Sequence, residues 1–149
     1  MEPFVTLKVI HVLSAIVAVG ANVTYAFWLR RAGLDRDRLI FSIEGVRRLD
    51  RTIANPGYIL LLLTGLAMVA TGVYSFRNGW LAAALALYIL TAIIGILVFA
   101  PAIRRQLAEA ERDPGSAAYA AAARRTSLLG VATTAIVVVI VVLMVAKPF

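Results

Sequence analysis

Four long apolar stretches, separated by charged segments, constrain the fold of this chain more than any other feature. They cover approximately residues 4–28, 56–74, 79–103 and 127–146. Each reaches the roughly 20 residues that an α-helix needs to cross the ~30 Å hydrocarbon core of a bilayer. A chain that is 62% hydrophobic, with a mean hydropathy of +0.89, has more apolar surface than a soluble domain of 149 residues can bury. We therefore predict an all-α integral membrane protein, an up-and-down four-helix bundle that forms a single transmembrane domain over residues 1–149.

The basic residues predict how the bundle is oriented. Of the 15 Lys and Arg residues, seven lie in the segment 30–53 and five in the segment 104–126. Because positively charged loops stay in the cytoplasm, both segments are predicted to be cytoplasmic and both termini to lie outside. Residues 1–6 contain no Lys or Arg, so the first stretch lacks the basic start of a signal peptide and is expected to be retained. The predicted location is the bacterial cytoplasmic (inner) membrane.

Local signals predict where the helices begin and how far they extend. Asn55 can cap the second helix and Pro56 suits its first turn, so this helix is predicted to begin there. Pro101 is expected to bend the third helix near its cytoplasmic end. Ser116 can cap the fourth helix. The third and fourth helices are therefore predicted to project into the cytoplasm as short helical extensions.

Segment 30–53 also contains apolar residues near helical spacing, with arginines between them. They are Leu39, Ile43, Val46 and Ile53. One interpretation is a short amphipathic helix on the membrane surface, attracted to anionic lipids at the cytoplasmic face. The other is a connector that sets the topology. Both interpretations remain open from the sequence.

Small residues within the stretches predict where helices contact one another, because helices in lipid approach closely where side chains are small. They are Ala15, Ala18 and Asn22 in the first helix, Gly65 and Gly72 in the second, Thr91 and Gly95 in the third, and Gly130, Thr133 and Thr134 in the fourth. Segment 136–142 consists almost entirely of Val and Ile. This segment is interpreted as a lipid-facing surface or as a flat contact with a second copy of the chain.

Several classes of function are disfavoured. The central part of each stretch lacks Asp, Glu, Lys and Arg, which ion- and proton-coupled transporters place on their pathway. The chain has no cysteine, so it has no thiolate nucleophile and no cysteine metal site. The sequence has no glycine-rich phosphate loop and no convincing catalytic serine, and we expect a protein without enzymatic activity. The basic loops are explained by topology, so nucleic-acid binding is not expected.

The single histidine is the one residue that suggests a cofactor. His11 lies roughly 10 Å inside the outer end of the first helix. Imidazole is a common axial ligand of haem iron, and methionine or a second histidine is a usual partner. Met68, Met144 or His11 of a second copy would then be the opposite ligand. The alternatives are that His11 binds copper or another metal, or that it only donates a hydrogen bond to a neighbouring helix and fixes its packing.

Other polar residues are expected in the interior of the bundle. They are Ser14, Asn22, Thr64, Thr71, Tyr88 and Thr91. Such side chains form hydrogen bonds between helices, or they line the path of a small-solute transporter or channel. Tyr25 and Tyr58 lie near helix ends and are interpreted as anchors at the membrane interface.

Three short motifs carry a family resemblance. They are Leu7 to Leu13 with the later Gly20, Asn55-Pro56-Gly57 with the later Thr64-Gly65, and the closing segment Leu143 to Pro148. Over nearly the whole chain, the sequence resembles an uncharacterised family of bacterial predicted integral membrane proteins. The first helix distantly resembles those of the copper-resistance D-type membrane proteins and of the bacterial membrane-bound protoporphyrinogen oxidase, a four-helix haem protein. The resemblance to the oxidase carries over to His11 alone and implies haem binding there.

Three hypotheses about function follow. The first is a non-enzymatic bundle that acts as an accessory subunit or a homo-oligomer in the membrane. The second is a haem-binding membrane protein or haem-dependent oxidoreductase with His11 as axial ligand. The third is a small-solute transporter or channel. We favour the first, because the small-residue faces and the Val/Ile-rich segment point to contact between helices and no buried charge points to transport.

Overall fold

The computed structural model describes residues 2–148 and consists of four long helices joined by short connections. The helices are α1 (Pro3–Ala32), α2 (Arg36–Ala70), α3 (Gly79–Arg112) and α4 (Ala117–Ala146). All four are long and apolar enough to cross a membrane. The prediction of an all-α membrane bundle of four helices is therefore confirmed.

The helices run alternately up and down, so the two basic segments lie at one end of the bundle. We name this the basic end, which contains 30–53 and 104–126. The opposite end contains the start of α1, the end of α4 and the connection between α2 and α3. We name it the terminal end.

Each of α2 and α3 contains one wide π-helical turn that ends two residues before a proline. The π turns are Asp50–Ala54 and Gly95–Phe99, and the prolines are Pro56 and Pro101. After each turn, a backbone N–H bonds to the carbonyl five residues earlier, Asn55 to Asp50 and Ala100 to Gly95. In a regular α-helix, proline removes a hydrogen bond and its ring collides with the carbonyl four residues earlier. A π turn is wider and relieves this conflict, so both helices continue through their prolines.

The prediction that the second helix begins at Asn55 and Pro56 is therefore wrong. α2 begins at Arg36, where the Asp35 carboxylate caps it by accepting a hydrogen bond from the N–H of Arg38 at 2.9 Å. The helix ends at Ala70, short of the predicted residue 74, and Gly72 has a φ of +80° in the following turn.

The predicted cap at Ser116 is confirmed. The Ser116 hydroxyl accepts a hydrogen bond from the N–H of Tyr119 at 3.1 Å, and α4 begins at the next residue, Ala117. The connection between α3 and α4 at the basic end is therefore only a few residues long.

The apolar face of the first half of α2 is buried within the protein. Leu39, Ile43 and Val46 are at most 2% exposed, and they pack with Ile103 and Leu107 of α3. In water, burying each of these large side chains contributes about 1.5–3 kcal/mol to stability. This half of α2 is thus a packed extension of the bundle, and the interpretation of a separate amphipathic helix on the membrane surface is wrong.

The start of α2 is also tied to the end of α3 by Arg36. Its Nε and Nη2 atoms donate hydrogen bonds to the Glu111 carbonyl at 3.0 and 2.7 Å. That carbonyl lies in the last turn of α3, where helix carbonyls lack a partner in their own helix. The contact therefore adds to the packing of α2 against α3 at the basic end. We name this packing the clamp, formed by the Arg36–Glu111 contact and by Leu39, Ile43 and Val46 against α3.

Away from this clamp, α2 and α3 separate. In the described chain, no Cα of residues 55–70 lies within 8 Å of a Cα of residues 79–94. α1 packs against α2 and contacts α4, and α4 packs against α3. In their apolar halves the helices therefore pack in the order α2, α1, α4, α3, and within the described residues the backbones of α2 and α3 approach each other closely at the basic end.

Aromatic rings and a lysine join the elements at the terminal end. The Lys147 ammonium donates a hydrogen bond to the Tyr74 hydroxyl at 2.8 Å and lies 5.5 Å from the centre of the Trp80 ring. The Tyr74 ring packs edge-on against Trp80 and also contacts Phe4. This cluster connects α1, the loop between α2 and α3, the start of α3 and the end of α4.

Candidate functional site

His11 of α1 forms a hydrogen bond with Thr64 of α2. The His11 Nδ1 and Thr64 Oγ1 atoms are 3.0 Å apart, and Thr64 is buried. The Thr64 hydroxyl also lies 2.7 Å from the Leu60 carbonyl and 3.2 Å from the Leu61 carbonyl. A hydroxyl has one proton, and Thr64 donates it to the backbone of its own helix. Its oxygen can then accept the second bond from His11, an arrangement that favours the ring tautomer with the proton on Nδ1.

This arrangement leaves Nε2 of the neutral imidazole with its lone pair. A histidine that binds a metal through one nitrogen usually donates the N–H of the other to a second-sphere acceptor. The Thr64 hydroxyl is such an acceptor. The chemistry of His11 therefore fits a haem iron as one axial ligand.

Glycine residues allow α1 and α2 to approach closely around His11. A Cβ at Gly65 would lie 3.2 Å from Cε1 of the His11 ring, and a Cβ at Gly57 would lie 3.0 Å from the Cβ of Ala18. Ala18 is fully buried. The contact faces predicted at Ala18 and Gly65 thus lie between α1 and α2, whereas Gly72 lies in the turn beyond α2.

The two methionines proposed as second haem ligands lie on different helices. Met68 is buried on α2, one turn after Thr64, and Met144 is half-buried on α4. Two cavities, of about 160 and 280 Å³, lie at the basic end, and neither is lined by His11 or by these methionines. Within residues 2–148, no cluster of three or more His, Asp or Glu side chains is arranged to hold a metal ion. The fit to haem therefore rests on the one ligand His11.

A second polar group links three helices nearer the basic end. Asn22 of α1 donates a hydrogen bond from Nδ2 to the Tyr58 hydroxyl at 2.7 Å, and the Tyr88 hydroxyl of α3 donates to the Tyr58 carbonyl at 2.9 Å. The latter bond spans the gap between the apolar halves of α2 and α3. Asn22 Oδ1 and the Tyr25 hydroxyl are buried without a hydrogen-bond partner in the described chain.

The remaining polar residues bond to the backbone of their own helices. Ser14 donates to the Ile10 carbonyl, Thr71 to the Met68 carbonyl and Thr91 to the Leu87 carbonyl, at 2.7–2.8 Å. Ser14 is buried, Thr91 half-buried and Thr71 exposed just beyond the end of α2. Within the described residues, these three hydroxyls therefore make no hydrogen bond to another helix.

Sequence reasoning missed the role of Tyr58. Its place near the start of an apolar stretch favoured the interpretation of an interface anchor, but its hydroxyl and its carbonyl both accept bonds from other helices. This role can be recognised only when the packing of α1 against α2 is known, because that packing brings Asn22 next to Tyr58. Sequence reasoning likewise did not single out Asp50, which lies in a π turn.

The burial of Asp50 changes its acidity. Burial raises the pKa of the Asp50 carboxyl above its ordinary value, and a hydrogen bond from Asn55 Nδ2, at 3.4 Å, partly opposes this shift. The folded chain therefore favours the protonated form of Asp50.

A comparison with known protein families identifies a family that this chain matches. A family described as predicted integral membrane protein (DUF2269) matches residues 5–148. The chain belongs to this family. The closing apolar segment of α4 and the histidine-bearing start of α1 both fall inside the match.

Two further comparisons found nothing similar. No curated protein and no solved structure matches the DUF2269 chain. The resemblances of the first helix to copper-resistance D-type proteins and to protoporphyrinogen oxidase therefore gain no support from these comparisons. The function of the chain has to be argued from its own residues.

Proposed function

We propose that this DUF2269 chain is a non-enzymatic membrane subunit that works by packing against another membrane protein, in the simplest case a second copy of itself. The observation that carries the proposal is the low burial of its apolar helices. Of the most apolar window in each helix, 17% is buried in α2, 11% in α1 and in α3, and only 6% in α4. Lipid or the helices of another subunit therefore cover most of this surface.

The face of α4 suits contact with a second copy. Gly130 and Thr134 are one turn apart, which is the small-xxx-small spacing of close helix pairs in membranes. Val138, Val141 and Val145 continue the same face and are exposed. A Cβ at Gly130 would meet no atom within 4 Å, so the backbone is open to approach.

The hydroxyl of Thr134 adds a polar argument for this face. Its neighbour Thr133 donates to the carbonyls of Leu129 and Gly130, whereas Thr134 makes no side-chain hydrogen bond within residues 2–148. A free hydroxyl beside a glycine can bond across a helix pair. A symmetric dimer with α4 against α4 would use one self-complementary face on both copies.

The oligomeric state tests this proposal. Copies labelled with donor and acceptor fluorophores are mixed in lipid vesicles, and energy transfer measures their association. We expect Gly130→Leu to weaken association by about tenfold, because the side chain separates the backbones. Gly20→Leu on α1 is the matched control, since Gly20 also has open space around its Cβ. A native chain that stays monomeric, or equal effects of the two variants, would contradict the proposal.

We also propose that the basic end faces the cytoplasm of a bacterium and that both termini lie outside the inner membrane. The concentration of arginines in 30–53 and 104–126 supports this orientation. The same arginines would attract anionic lipids of the inner leaflet.

Haem binding at His11 is a second candidate, favoured by the hydrogen bond from Nδ1 to Thr64. His11 would hold the iron through Nε2, and Met68, Met144 or His11 of a second copy would supply the other ligand. Bound haem would supply electron transfer. The test is the absorption spectrum of chain expressed with ample haem: a Soret band that disappears in His11→Ala is expected. Absence of the band, or an unchanged band in His11→Ala, would leave His11 as a packing residue.

A further inference from the structure

The smaller of the two cavities lies between α2 and α3 at the basic end. It has a volume of about 160 Å³, whereas a cavity needs only about 10–15 Å³ on this measure to hold one water molecule. Its polar lining consists of Arg47, Asp50, Arg51 and Asn55 from α2 and Arg104 from α3. The space is therefore large enough for a polyatomic group, and three of the four charged residues that line it are arginines.

The two π turns meet at this cavity from opposite helices. Asp50 and Arg51 lie within the turn of α2, and Phe99 is the last residue of the turn in α3. A π turn holds one more residue than a regular turn, and such turns recur at functional sites. Asp50 and Arg51 of the polar lining belong to such a turn, and Arg47, Asn55 and Arg104 lie within one or two turns of one.

The three arginines lack protein partners. Between residues 2 and 148, the ion pairs within 4.0 Å are Arg36 with Asp37 and Arg112 with Glu109. None of the guanidinium groups of Arg47, Arg51 and Arg104 donates a hydrogen bond to another residue in this part of the chain. The one carboxylate at the cavity, Asp50, accepts its bond from Asn55. Three cations therefore face a cavity that contains one acidic group.

We infer that this cavity binds a phosphate group through Arg47, Arg51 and Arg104. Guanidinium groups present paired N–H donors in a plane, a geometry that matches the oxygens of phosphate. The cavity lies beside the start of the apolar half of α2, where phospholipid headgroups would be expected. The phosphate belongs either to an anionic phospholipid or to a soluble phosphate compound, and both present the same oxygens to the arginines.

Binding to the full-length chain in detergent tests this inference. The chain is titrated with phosphatidylglycerol, with phosphatidylcholine and with inorganic phosphate, and binding is followed by native mass spectrometry for the lipids and by calorimetry for phosphate. We expect the chain to bind at least one of phosphatidylglycerol and inorganic phosphate. Replacement of all three cavity arginines by glutamine should weaken that binding by about tenfold or more, since each lost contact involves a charged donor.

A charge-matched control separates a site from general attraction. Replacing Arg31, Arg38 and Arg124 by glutamine removes the same charge from exposed positions at the basic end that do not line the cavity. This variant should bind nearly as well as the native chain. Equal losses in the two triple variants, or no binding of either phosphate source by the native chain, would overturn the inference.

A variant that keeps every charge provides an independent test. Ala100 lines the cavity, so Ala100→Trp should fill it and abolish binding.

A single substitution of one cavity arginine is a milder test. Arg104 is exposed, so Arg104→Gln alone changes the site with little effect on packing and should weaken binding as well. Native affinity in both variants would overturn the inference.

The two sources of phosphate are distinguished by competition. If inorganic phosphate binds and displaces phosphatidylglycerol, the site accepts free phosphate compounds. If phosphatidylglycerol binds and inorganic phosphate does not displace it, the site is specific for a lipid headgroup. Both results support the inference, and neither depends on the oligomeric state of the chain.

Discussion

His11 is the residue whose chemistry the structure specifies most closely. The Thr64 hydroxyl favours a proton on Nδ1, because its own proton is directed at the Leu60 carbonyl. We expect this tautomer whether Nε2 binds a metal or faces hydrocarbon. The protonation of the ring can therefore be tested without knowledge of the function.

Nitrogen NMR of the His11 ring tests this assignment. In the native chain, labelled with ¹⁵N-histidine, we expect the shifts of a neutral ring protonated at Nδ1. Thr64→Val removes the acceptor and should shift the ring toward the other tautomer, with a loss of about 1 kcal/mol in stability. Thr71→Val is the control, because Thr71 is exposed beyond the end of α2. A native ring protonated at Nε2 would show that the assignment is wrong.

The raised pKa of Asp50 leads us to expect that the stability of the folded chain depends on pH. Burial raises its pKa in the folded chain, so folding favours the protonated carboxyl. The stability that this group contributes is complete below its ordinary pKa and is lost as pH rises through the raised value. Thermal unfolding in detergent should show a falling melting temperature across this range, and Asp50→Asn should remove that part of the fall.

Asp37 provides the comparison for this prediction. It lies on the same helix, and its side chain is 95% exposed. Asp37→Asn should leave the slope of melting temperature against pH as it is in the native chain. Identical slopes in the native chain and in Asp50→Asn would contradict the role of Asp50.

At the scale of helices, contact between α1 and α2 depends on the absence of a side chain at Gly57. A methyl group there would lie 3.0 Å from the Cβ of Ala18, which is fully buried and has no room to move aside. Gly57→Ala should therefore destabilise the bundle by about 1–3 kcal/mol. Gly20→Ala, where the space is open, should be neutral or slightly stabilising. Unfolding of both variants in mixed detergent micelles measures the difference.

The helices themselves could be predicted from the apolar stretches and the basic segments between them, because length and hydropathy decide which segments can cross a bilayer. The course of α2 through Pro56 could not. Asn55 and Pro56 are favourable helix-starting residues, and a π turn that admits a proline has no distinct sequence signal. The burial of Leu39 and Ile43 could not be predicted from the sequence either. An apolar helix face has the same sequence pattern whether it packs against lipid or against Leu107 of another helix.

The site was predictable only in part for a similar reason. A single histidine in an apolar helix stands out in any sequence, and so do small residues at helical spacing. The pairing of His11 with Thr64, and of Asn22 with Tyr58, depends on the rotation and depth of α1 against α2. The arginines of the cavity were predicted to set topology, and their convergence on one space depends on how α2 packs against α3 at the basic end.

For the whole molecule, the orientation in the membrane can be tested directly. The chain has no cysteine, so a single introduced cysteine is the only thiol that a reagent can label. Phe41 at the basic end and Phe76 at the terminal end are 79% and 50% exposed. In intact cells, a maleimide that does not cross membranes should label Phe76→Cys and spare Phe41→Cys. The reverse pattern would contradict the proposed orientation.

The clamp of Leu39, Ile43 and Val46 against α3 has a mechanical consequence. Leu39, Ile43 and Val46 are the largest fully buried side chains of the described residues, so the apolar packing of α2 against α3 is concentrated at the basic end. Between the apolar halves of α2 and α3, the Tyr88 hydroxyl bonds to the Tyr58 carbonyl, and the loop at the terminal end joins the two helices again. Loss of that bond should therefore let the spacing of the two helices change at mid-length while both of their ends remain tied.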